Sequence, residues 1–114
     1  MAVHYKVVLV LALILFVSLT TTRAAHGEVP TRADFAACNE EAPHAVKAGI
    51  ASPIVADHAR ADSARGGAMA TSSTSFTGIA IESSDPQIHG MEAEGAKNAT
   101  YQAAYRGCMR RKGF

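Results

Sequence analysis

The sequence predicts a mainly α protein: a small disulfide-linked helical hairpin with a flexible Gly/Ser/Thr-rich connector, preceded by an N-terminal signal helix. Three observations carry this expectation. All five leucines of the 114-residue chain lie between Leu9 and Leu19. The two cysteines, Cys38 and Cys108, stand near opposite ends of the remainder, each within a helix-forming stretch. Small residues recur every four positions at Gly95, Ala99, Ala103 and Gly107 in the last segment.

The leucine-rich run from Val7 to Leu19 has the length of a secretory h-region. It follows a short start carrying Lys6 and leads into polar Thr20-Thr21-Thr22-Arg23. Residues 1–25 are therefore expected to be a signal peptide, cut between 24 and 27, with a small helical domain over 28–114. The expected location is periplasmic or secreted. An uncleaved signal anchoring the chain to the membrane is the competing outcome, but a span needs about twenty apolar residues and this run is shorter.

From Glu28 onward the chain has nine Lys or Arg and ten Asp or Glu. That balance gives no general attraction to nucleic acid. Alanine buries little area per residue, and this part has no leucine and no tryptophan. So small and thin a core needs a staple, and an intramolecular Cys38–Cys108 disulfide is the economical one in an oxidising compartment. Neither cysteine belongs to a C-x-x-C redox pair.

The elements follow in order. Thr31 caps a first helix with Asp34 in its opening turn, a shortened capping box, and Phe35, Cys38 and Ala42 recur on one face. Pro43 is expected to stop or kink that helix, with a resumption through His44 to Ala48 before Gly49. Ser52 with Pro53 at the first helical position predicts a second, weakly apolar helix to about Arg65, supported by Asp57–Arg60 and Asp62–Arg65. Residues 66–84 read as a flexible connector, with Phe76 to Ile81 as a short docking segment rather than a paired strand. Asp85-Pro86 opens the longest predicted helix, running to about Lys112. On it, Gly95, Ala99, Ala103 and Gly107 are the candidate helix-packing stripe. Small residues there let another backbone approach closely enough for a disulfide.

The ending Tyr101-Gln102-Ala103-Ala104-Tyr105-Arg106-Gly107-Cys108-Met109-Arg110-Arg111-Lys112-Gly113-Phe114 resembles the Tyr…AYxxCMxxxG[FY] tail of small exported bacterial proteins, including some glycine-zipper envelope proteins. With Phe35-Ala36-Ala37-Cys38, the resemblance implies a bacterial periplasmic protein and transfers no catalytic residue. The glycine-zipper repeat itself is missing from this chain.

Chemical constellations are sparse. His44, His58 and His89 are not spaced as metal ligands, with Asp57 or Glu92 as the only scattered helpers, so they read as solvated surface groups. The run Ser72 to Ser75 lacks the G-x-S-x-G turn of a nucleophile. Glu40-Glu41 and Glu92 with Glu94 read as solvent-facing charges, the latter pair complementing the positive end of the last helix. Asn98-Ala99-Thr100 is a glycosylation sequon that matters only in a eukaryotic secretory route. No catalytic residue, metal set, cofactor or small-molecule substrate is expected.

Two functions remain from different classes. The first is a non-enzymatic periplasmic or envelope structural and interaction module, touching an envelope protein through Tyr101, Tyr105, Met109 and Phe114 if these are exposed. The second is an anion or lipid-surface binder through Arg106, Arg110, Arg111 and Lys112 at the basic end of the last helix.

Overall fold

The computed structural model describes residues 29–73 and 78–114, together with 3, 4 and 6–8. The leucine run, the expected cleavage region at 24–27 and Phe76 lie outside the described residues. Within them the elements run α1 (Arg32–Ala48), α2 (Val55–Arg65), β1 (Thr71–Ser72), β2 (Ala80–Ile81), α3 (Ala93–Ala96) and α4 (Ala99–Arg111). The mainly helical expectation holds.

Helix α1 starts where its cap places it. The Thr31 side chain accepts from the Asp34 backbone N–H, and the Asp34 carboxylate accepts from the Thr31 N–H at 2.8 Å. It ends on Gly49, whose φ of 68° is the left-handed conformation that glycine tolerates best, with the Ile50 N–H donating to the Ala45 carbonyl. Pro43 neither stops nor splits the helix. A proline in mid-helix leaves the carbonyl four residues back without its N–H partner. Here that carbonyl belongs to Asn39, and the Tyr101 hydroxyl lies 3.3 Å from it and 2.8 Å from Asn39 Oδ1. A side chain from α4 thus occupies the place that the proline vacates.

Cys38 on α1 and Cys108 on α4 form a disulfide with 5.5 Å between their Cα atoms. Both are buried, with Ala42, Ala45 and Ala104 in the same cluster. So close an approach requires small neighbours on both helices, as the composition implies. In place of leucine, the bulk of the core comes from Tyr101, Tyr105, Met91, Met109, Ile81 and Ile88. Tyr105 donates its hydroxyl to the His89 carbonyl at 2.7 Å, so its buried oxygen is satisfied.

Three boundaries differ from expectation. Helix α2 begins at Val55 rather than at Pro53, because the Asp57 side chain accepts from the Ile54 N–H at 2.9 Å and makes Ile54, not Ser52, the cap. The connector is docked where it is described. Ala80 and Ile81 are buried, and β1 pairs antiparallel with β2, Thr71 facing Ile81 and Ser72 facing Ala80. On its other side β2 meets the 90–92 stretch, Ile81 N–H donating to the Met91 carbonyl at 2.7 Å and Gly90 N–H to the Ile81 carbonyl at 3.0 Å. The short docking segment expected near Ile81 is present, and it is also the middle row of a small ribbon.

The expected helix from Asp85 to Lys112 is broken. Asp85 caps only a turn, its carbonyl accepting from Ile88 and His89, before Gly90 turns left-handed at φ 82°. Asn98 then starts α4 afresh, its side-chain oxygen accepting from the N–H groups of Thr100 and Tyr101. Gly95 therefore sits on α3 while Ala99, Ala103 and Gly107 sit on α4, so the four do not share one helix face. Glu92 and Glu94 precede α3, and the first turn of α4 carries no acid. Gly95 has its own packing reason: a Cβ there would lie 2.4 Å from the Tyr101 ring.

Candidate functional site

The polar centre of the protein is Asp57 in the first turn of α2. Its side chain is fully buried, and burial alone would raise the pKa. Opposing this, Arg106 donates from Nε to Oδ1 at 3.1 Å and from an Nη to Oδ2 at 2.8 Å, the Ile54 N–H donates to Oδ2, and Arg60 donates to Oδ1 at 2.5 Å. These outweigh desolvation and hold the carboxyl below its ordinary 3.8. Arg60 also donates from Nε to Gln102 Oε1 at 3.0 Å, and the buried Gln102 donates to the Ala96 carbonyl at 2.7 Å. The cluster ties α2, α3 and α4 together. The sequence shows Asp57–Arg60 as a helix pair, but the Arg106 and Gln102 contacts are long-range and leave no local signal.

Asp57 also fixes what lies beside it. The connection from α1 to α2 carries Ile50, Ile54 and Val55 at 77%, 53% and 86% exposure. One end is held by the glycine cap of α1 and the other by the Ile54 N–H bond to the buried carboxylate. An apolar tip is therefore presented on a braced support. Three β-branched apolar side chains exposed on one short connection are a sign of contact with something else, whereas single exposed ones are ordinary.

The four expected anion-binding residues are not equivalent. Arg106 is only 15% exposed and spent on Asp57. Arg111 pairs with Glu41, and Lys112 Nζ lies 3.3 Å from an Asp34 carboxylate oxygen. Arg110 is exposed and has no ion pair among the described residues. Tyr101, Tyr105 and Met109 are buried and belong to the core, so they are not surface contacts, and Phe114 packs partly against them. His44 and His58 are exposed as expected. His89 is not a solvated group: its Nδ1 accepts from the Ser83 N–H at 3.2 Å and its ring meets Phe35 edge-on at 5.3 Å.

A shallow groove of about 330 Å³ opens between the end of α2, the β-ribbon and α3, with Ala64, Met69 and Ile81 in its lining. Its rim charges are engaged with one another. Arg65 donates to the Lys97 carbonyl at 2.5 Å and pairs with Asp62, and Lys97 donates to Glu94 at 2.8 Å. No described group of three or more His, Cys, Asp or Glu could hold a metal ion. No described helix is long and apolar enough to cross a membrane. The titratable groups with shifted pKa values are structural: Asp34 in its cap, Asp57 in its ion cluster, and Tyr101 and Tyr105, raised by burial.

By fold and site, the chain is a disulfide-clamped helical domain with an apolar tip supported by a neutralised ion cluster. Comparison with protein families, curated proteins and solved structures finds no match to it.

Proposed function

We propose that this protein is an exported, non-enzymatic interaction module of the bacterial envelope, which uses the α1–α2 connection as its contact surface. The observation that carries this reading is the exposed trio Ile50, Ile54 and Val55, held in place through Asp57 and Arg106. The disulfide fits an oxidising compartment, and the leucine-rich leader fits export to it. A chain with so little apolar bulk gains nothing from exposing three β-branched side chains unless a partner covers them.

A photo-cross-linking residue placed at position 55 and, separately, at the exposed Glu40 tests this in cells that export the protein. Cross-links to envelope components are expected at position 55 and absent at 40. Val55→Asp should abolish function while leaving the melting temperature within a few degrees. Equal labelling from both positions would overturn the assignment.

A further inference from the structure

The partner chemistry of this tip follows from the charges around it and rests on the interaction reading above. Between Glu41 and Asp62 the only acidic residue is Asp57, which is buried and neutralised. The exposed titratable side chains of that stretch are His44, Lys47 and His58, and Lys47 has no ion pair among the described residues. Helix α4 adds to the same end. Its register against α2 is antiparallel, with Gln102 beside Arg60 and Arg106 beside Asp57. One turn further along α4, Arg110 falls at the level of Ile54, and it is the cation of the basic tail that no described carboxylate engages. Apolar tip and free cations therefore share one end of the bundle.

We infer that this end docks on an anionic phospholipid surface, with Ile50, Ile54 and Val55 seated at the headgroup boundary and Lys47 and Arg110 against lipid phosphates. A second copy of the chain fits less well. Stable dimers need roughly 800 Å² from each partner, more than three side chains supply, and a two-fold contact would set cations against cations. An acidic lipid surface matches both the apolar and the cationic components, and it needs no deep pocket.

The chain lacks tryptophan, so Val55→Trp in the full-length protein gives a single local reporter, and Ala33→Trp on the exposed first turn of α1 gives its control. Affinity of the leader for lipid is common to both and does not distinguish them. With phosphatidylglycerol vesicles the Val55→Trp emission is expected to shift to the blue and become quenchable by brominated lipid. With phosphatidylcholine vesicles, and for Ala33→Trp in either, it should stay that of a water-exposed indole. Lys47→Ser and Arg110→Ser should each weaken partitioning roughly 5-fold, and about 1 M salt should remove it. A Val55→Trp signal that stays aqueous at saturating phosphatidylglycerol, or that shifts equally in both lipids, overturns the inference. If that signal stays aqueous while cross-links at position 55 converge on one protein, the partner is a protein and the interaction module stands. If both are absent, both readings fall.

Discussion

Removing the disulfide by Cys38→Ala with Cys108→Ala is the perturbation whose size the structure fixes most directly. The bridge joins positions 70 residues apart, and the chain-entropy treatment of a loop of that length gives about 4.4 kcal/mol at 25 °C. Alanine leaves no buried hydroxyl behind, and two sulfur-sized gaps add a smaller cavity cost. For a domain of this size each kcal/mol is worth about 4–8 °C, so the melting temperature should fall by roughly 20–35 °C. Urea unfolding of the oxidised protein and the double variant, followed by far-ultraviolet circular dichroism, measures the difference. The variant should also show a steeper dependence on urea, because its unfolded chain is no longer tied and exposes more surface. A loss below about 1 kcal/mol with unchanged slope would show that the remaining contacts hold the helices without the bridge, refuting its assigned role.

Two further predictions concern packing and pH. Gly95→Ala places a methyl group 2.4 Å from the Tyr101 ring and should cost about 1–3 kcal/mol, whereas an alanine at Gly107, where the nearest listed neighbour atom would be the flexible end of Arg111 at 3.7 Å, should change the melting temperature little. Asp57 has a folded pKa below the unfolded value of about 3.9, so its stabilisation is complete above that pH and is lost as pH falls through the folded value. Asp57→Asn should therefore cost about 3 kcal/mol at neutral pH, by stranding Arg106 and Arg60, and the two stability curves should converge below about pH 3. The slope that remains in the variant belongs partly to Asp34, whose carboxyl is lowered by its bonds to Thr31. Parallel curves down to pH 2 would mean that Asp57 is not ion-paired in solution.

What the sequence disclosed was local or covalent. The cap at Thr31, the glycine end of α1, the helix pairs from Asp57 and Asp62 and the pairing of Cys38 with Cys108 all depend on near neighbours or on the lone possible partner. What it concealed needed contacts between distant segments. Pro43 reads as a stop because the hydroxyl that replaces its missing bond arrives from Tyr101. The predicted single helix beyond Asp85 fails at Gly90 and Asn98. The Asn39 carboxamide takes up the ribbon edge there, donating to the Gly90 carbonyl and accepting from the Glu92 N–H at 2.9 Å each. A half-buried asparagine in mid-helix was the one available hint, since burial there requires partners. The basic tail looked like four equivalent cations because the carboxylates of Asp57, Glu41 and Asp34 lie far away along the chain.

The proline in α1 has a consequence for how the two long helices recognise each other. Alanine-rich faces are nearly featureless, so neighbouring alignments that slide or rotate one rod on the other differ little in contact energy. A single imino acid makes one backbone oxygen unlike every other along the rod, and only one rotational setting brings the phenol to it. That notch acts as a key: it can select the alignment in which the thiols meet before any covalent bond exists, so oxidation would seal a pairing already chosen.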